Sequence, residues 1–163
     1  METKLLIVTD LGLFKAFKVD RTLKGSPHLD LLEQIVLEEA HHRLVETVTD
    51  LAGRRGTPPQ RNWGTPVVDD HNQQLEIRRR LVKEVAEHFE RLSQSHSEMP
   101  VWFAAPAEFN RQILETLPAN LRDRIQINLP RDLVKLSKAE LLEAFALEQR
   151  RSEEAAALPT KAP

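Results

Sequence analysis

PVWFAAPAEFNRQILETLPANLRDRIQINLPRDLVKLSKAELLEAF, residues 100–145, alternates strand-like and helix-like runs with clear punctuation. Residues 101–105 are a short apolar run, which suits a strand buried on both faces. Pro106 fixes φ and lacks the N–H that a first helical turn leaves unpaired, so it opens the next helix. Phe109, Ile113, Leu114 and Leu117 recur at helical spacing and mark one buried stripe. Pro118 ends that helix. Ile125, Ile127 and Leu129 alternate with Gln126 and Asn128, the pattern of a strand with one dry face near a sheet edge. Ser137 and Glu140 form a capping box, and Leu141, Leu142 and Phe145 follow on one side of a last helix. The alternation of strands and helices predicts an α/β layered domain.

The rest of the chain fits around this stretch. Residues 4–10 (KLLIVTD) read as a central strand ending in a carboxylate, with Gly12 in a turn and residues 14–19 returning as a second strand. Residues 20–28, with Gly25, Ser26 and Pro27, read as a loop. For residues 29–40 the spacing of Leu29, Leu32, Val36 and Ala40 fits a helix, and the same run supports a strand over 31–37. Residues 44–48 are a further short candidate strand. Residues 50–66 (DLAGRRGTPPQRNWGTP) are rich in Gly, Pro and Arg and read as a long basic loop. Asp69 or Asp70 then caps a helix running to about Ser95. Its stripe is Leu81, Val85, Phe89 and Leu92 with Val82 and Ala86, and its i,i+4 pairs are Glu76–Arg80, Glu84–His88 and Glu87–Arg91. Residues 149–163 read as a flexible tail, which makes 1–148 a single domain.

Composition narrows the function. The 163 residues are 40% hydrophobic and 29% charged, ordinary for a globular domain. With no cysteine, neither a disulfide framework nor a thiolate nucleophile or metal site is available. The N-terminus does not read as a signal peptide and no run is long enough to span a membrane, which predicts a cytoplasmic protein with no membrane partner. A net charge of -2 gives no bulk attraction to nucleic acid, so such binding would need a local basic patch.

Candidate chemistry follows from residue types. Asp10, Asp50 and Asp70 could converge on Mg²⁺ as in metal-dependent nucleases or hydrolases, but a turn explains Asp10 and a helix cap explains Asp69 and Asp70. His41 and His42 are adjacent and point apart on either a strand or a helix, which makes them a poor chelating pair. Ser93, Ser95 and Ser97 lack an elbow motif such as G-x-S-x-G. Nothing calls for a cofactor, and the balance is against an enzyme. Arg54, Arg55 and Arg61 with Gln60 and Trp63 are the most informative cluster. Guanidinium groups suit phosphate and an exposed indole can stack on a base. A solvated loop with Trp63 folded onto the core accounts for the same residues. Arg78, Arg79 and Arg80 extend the basic surface.

Four segments resemble the bacterial host-attachment protein family, also described as required for attachment to host cells. They are Ile7-Val8-Thr9-Asp10 with Gly12 and Ala16-Phe17; Thr49-Asp50-Leu51-Ala52-Gly53-Arg54; Ala104-Ala105-Pro106-Ala107-Glu108-Phe109 with the helix after it; and residues 130–137 (PRDLVKLS). Leu51-Ala52 stand where the family has Arg-Pro. The family in turn looks like the middle domain of the archaeal and eukaryotic peptide-release factor and of Pelota. That implies a mixed β-sheet of ribonuclease-H-like type with packed helices, and it favours the strand over 31–37. In those factors a Gly-Gly-Gln loop reaches the ribosomal peptidyl-transferase centre. The matching loop here has Gly53, Gly56 and Gln60 but no Gly-Gly-Gln, so peptidyl-tRNA hydrolysis is not implied. What the resemblance implies is a non-catalytic module that contacts ribosomal RNA or the ribosome through residues 53–66, or a protein-interaction factor that supports attachment indirectly.

Overall fold

In the computed structural model, which describes residues 2–37 and 67–157, β1 (Lys4–Thr9) is the central strand of a five-stranded mixed sheet. The order is β3-β2-β1-β4-β5, with β2 at Leu13–Arg21, β3 at Pro27–Val36, β4 at Val101–Ala104 and β5 at Ile125–Leu129. β1 pairs antiparallel with β2 and parallel with β4, and β4 pairs parallel with β5. The helices are α1 (Val67–Ser95), α2 (Ala107–Thr116), α3 (Ala119–Arg122) and α4 (Lys138–Ala157). The chain is one α/β domain.

The unbroken apolar run of β1 is explained by burial on both faces. Leu5 and Ile7 point into one cluster with Leu81, Val85 and Phe89 of α1 and Ile113 of α2. Leu6 and Val8 point into the other with Trp102, Leu141 and Phe145. The aromatic anchors follow the same division. Phe89 meets Phe103 at 5.3 Å on the first face, and Trp102 stacks on Phe145 at 5.4 Å and 4° on the second. Each face of the sheet therefore carries its own helical layer.

Strand, not helix, is the outcome for the ambiguous run after residue 28, and β5 is an edge strand as its alternation predicts. Local differences have local causes. The predicted loop over 20–28 is shorter, because Thr22 N to Ser26 O (2.8 Å) and Gly25 N to Thr22 O (2.7 Å) close a tight hairpin. Gly25 supplies its φ of +79° there. Pro27 and His28 thus enter β3, where a proline is tolerated on an edge. α1 begins at Val67, so Asp69 and Asp70 fall in its first turn rather than ahead of it. Pro106 is the N-cap of α2 rather than its first residue. The predicted Glu87–Arg91 pair is not the one formed: Arg91 reaches across to Glu33 of β3 at 2.7 Å, and Glu87 faces Lys83 at 3.9 Å. The other two helix pairs form, Glu76–Arg80 at 3.4 Å and Glu84–His88 at 3.9 Å. The capping box forms as read, with Ser137 N and Oγ donating to Glu140 Oε2 at 2.8 and 2.7 Å. Residue 149, the expected start of the tail, falls inside α4. The candidate strand at 44–48 lies outside the described residues.

Candidate nucleic-acid interface at the C-terminal edge of the sheet

β1 and β4 are adjacent and parallel, yet their continuations part. β1 turns back into β2 on one side, and β4 passes through α2 to β5 on the other. In open α/β sheets the crevice beyond the carboxyl ends of two such strands is where ligands bind. Here it lies between the 10–12 turn and the start of α2.

Asp10 stands at this edge, and its geometry shows what occupies it. Oδ1 accepts from Gly12 N at 2.7 Å and Leu13 N at 2.6 Å, an Asx-type turn. Thr9 Oγ1 donates to the carbonyls of Asp10 (2.6 Å) and Leu13 (3.0 Å). The carboxylate is thus engaged by the hairpin it closes. Asp50 and the side chain of Asp70 lie outside the described residues. Among the described residues no group of three or more His, Asp or Glu side chains is placed to hold a metal ion. On the α2 side, Asn110 and Asn128 exchange two amide hydrogen bonds, each 2.8 Å, and Asn110 is buried. This pair ties the first turn of α2 to β5. Its signal was present in the sequence: Asn110 shares the helical spacing of Ile113 and Leu117, which places a polar residue on an apolar stripe that needs a partner.

Toward this edge α1 carries three consecutive arginines, Arg78, Arg79 and Arg80. Its C-terminal end lies at the opposite edge, where Arg124, just ahead of β5, donates to the carbonyls of Ser93 (3.0 Å), His96 (2.6 Å) and Met99 (2.7 Å). A helix of 29 residues is about 43 Å long. The six-residue β1 spans only about 20 Å. α1 therefore outruns the sheet, and burial along it agrees. Leu81 and Val85 share a cluster with Leu11 and Leu37 at the C-terminal edge, while 72–80 are exposed apart from a half-buried Ile77. On that overhang Arg78 lies 5.1 Å from the Phe109 ring, Arg80 pairs with Glu76, and Arg79 has no ion pair among the described residues. A groove of about 490 Å³ between α1 and α2 is lined by Leu75, Arg78, Arg79, Val82, Gln112 and Glu115.

The predicted contact residues Arg54, Arg55, Gln60, Arg61 and Trp63 all lie outside the described residues, as do His41 and His42. The chain that carries them is bracketed by described elements at this edge. Leu37 N donates to Gly12 O at 2.9 Å, which holds the last described residue before them beside the Asp10 turn. The described chain resumes at Val67, the first residue of α1. Among the described helices, none is long and apolar enough to cross a membrane.

Among curated proteins no relative was found. The family described as "Protein required for attachment to host cells" has a profile that matches residues 5–145, most of the chain, and the chain belongs to that family.

Proposed function

We propose that this protein is a non-catalytic RNA-contact module, with ribosomal RNA the intended partner. In this reading Arg54, Arg55, Arg61, Gln60 and Trp63 of the 53–66 loop make the contact. The observation that carries it is the placement of Arg78 and Arg79 on the overhanging turns of α1, at the edge of the sheet where Leu37 ends one described stretch and Val67 begins the next; the Arg-rich segment 53–66 lies between those two residues in sequence. A protein with net charge -2 needs such local concentration to attract a polyanion. The mixed sheet with helices on both faces is of the kind that the likeness to release-factor and Pelota middle domains implies. That likeness, and the ribonuclease-H-like type it carries, support the reading by analogy of fold. The family's own description favours a second reading, in which the same edge engages a protein partner and supports attachment to host cells indirectly.

Co-sedimentation with ribosomes at several salt concentrations tests the first reading. Binding should weaken steeply with salt, because each neutralised phosphate releases counterions. Replacing Arg54, Arg55 and Arg61 together by Gln should flatten the log–log slope by about two, at about 0.7 per single-strand phosphate contact. Ribosome binding unchanged in the triple variant sinks the reading. Binding that is insensitive to salt favours the protein partner.

A further inference from the structure

A second site lies at the opposite, N-terminal edge of the sheet, under the last turns of α4. A cavity of about 360 Å³ there is lined by Lys4, Trp102, Gln126, Gln149, Ser152 and Glu153, among others. Trp102 is 1% exposed, and its Nε1 is buried with no acceptor. A buried indole N–H ordinarily has a partner. Lys4 is 7% exposed, with Nζ 4.7 Å from the Trp102 ring centre. Of its three N–H donors one goes to Gln126 Oε1 at 2.9 Å, and it makes no ion pair among the described residues. Burial lowers the Lys4 pKa, while Glu2 and Glu153 act in the other direction. The backbone is adapted to this arrangement. Between Val101 and Trp102 the register with β5 jumps from Ile125 to Ile127, which leaves Gln126 as a bulge residue. A bulge re-aims a side chain, and here Gln126 reaches Lys4.

Lys4 therefore brings into the cavity an ammonium with donors left over after its bond to Gln126. The cavity's one carboxylate, Glu153, already accepts from Gln149 Nε2 at 2.8 Å. We propose that this cavity binds a carboxylate group, which accepts from the Lys4 ammonium beside the Trp102 ring. One negative charge suits it better than two, because Glu153 lines the same space and opposes a dianion such as phosphate. A free monocarboxylic acid and the C-terminus of a peptide present the same chemistry. This site is independent of the RNA-contact reading, since it lies on the other edge of the sheet.

The test uses the full chain with ¹⁵N-labelled indoles. Trp63 and Trp102 are the two tryptophans, and Trp63→Phe assigns their cross-peaks. The probes are acetate, tri-alanine, tri-alanine amide, phosphate and chloride at constant ionic strength. The Trp102 indole peak should shift saturably with acetate, or with tri-alanine and not its amide, and these arms separate a small acid from a chain terminus. Lys4→Met should weaken that response at least tenfold. Glu153→Gln, a change at an exposed position, should strengthen it and let phosphate in, which keeps the proposal testable if Lys4→Met does not fold. An indole peak unmoved by both carboxylates, or moved equally by chloride, would mean that only water fills the cavity, and would overturn the proposal.

Discussion

Arg124 gives the sharpest stability prediction. Its guanidinium donates to Ser93 O, His96 O and Met99 O, and Nε adds a longer contact of 3.3 Å to Met99 O. These carbonyls lie at and just beyond the end of α1, where the helix dipole is negative and orphan acceptors collect. α1 has no basic residue of its own in the last turn. The cap is therefore supplied from 31 residues away in sequence. Arg124→Met keeps the stem and removes every donor. A hydrogen bond from a charged donor contributes about 1.5–3 kcal/mol. Arg124 is half-buried, so water can replace part of what is lost, and we expect a net cost of about 2–3 kcal/mol rather than the full sum. For a chain of this size each kcal/mol moves the melting temperature by about 2–4 °C, giving a drop of about 4–12 °C. Urea denaturation followed by circular dichroism measures the free energy directly. Arg131→Met is the control, an exposed arginine whose loss should stay within about 0.5 kcal/mol. If the two variants unfold at the same urea concentration, the cap does not stabilise the fold.

Two shorter tests bear on the local motifs. Asp10→Asn should leave stability nearly unchanged, because an Asn oxygen can accept the same turn hydrogen bonds, whereas Asp10→Ala should cost about 1–3 kcal/mol for two backbone donors left unpaired; equal losses in both variants would mean that the charge, not the turn, matters. Hydrogen bonds from the Ser137 hydroxyl and amide hold the Glu140 carboxyl below its ordinary value. A depressed folded-state pKa contributes stability above the unfolded pKa that is lost as pH falls through the folded one. Ser137→Ala should therefore make stability less dependent on pH in the acid range, read from urea midpoints on descending pH.

What the sequence disclosed divides along physical lines. Unbroken apolar runs marked β1 and β4, and periodicity marked β5 and the buried stripe of α1, because burial on two faces or on one leaves a pattern that needs no partner to be seen. The Ser137–Glu140 box was readable because both members lie within one turn. Features closed by distant residues were not. Arg124 shows no sign in sequence of the carbonyls it caps, and Arg91 chose Glu33 over the nearer Glu87. Bulges are equally silent: the register shift at Ala16/Phe17 leaves Leu32 unpaired, and the one at Val101/Trp102 leaves Gln126 unpaired. The β3 bulge has a further use. β3 is a ten-residue edge strand with Leu31, Leu32 and Val36 exposed, the type of edge that recruits other strands. A bulge at its middle, Pro27 at its start and the charges of Asp30 and Glu33 along it all oppose that pairing.

Arg124 and the arginine pair Arg78 and Arg79 use their charge differently, and that difference can be tested. At the N-terminal edge the Arg124 guanidinium is engaged by backbone carbonyls, and Lys4 gives one donor to Gln126 and lies against the Trp102 ring. At the C-terminal edge Arg79 has no ion pair among the described residues, and Arg78 lies against an aromatic ring that leaves its charge unneutralised. If RNA is bound at that edge, Arg78→Gln with Arg79→Gln should lower the salt slope by up to about 1.4, two contacts at about 0.7 each. Arg124→Met should leave the slope unchanged at temperatures where it is folded, since its charge is spent inside the protein. The effect of the helix pair should add to that of Arg54, Arg55 and Arg61, because separate phosphates are neutralised. A slope that responds to Arg124 and not to Arg78 and Arg79 would place the polyanion at the wrong edge of the sheet, and the interface assigned here would be refuted.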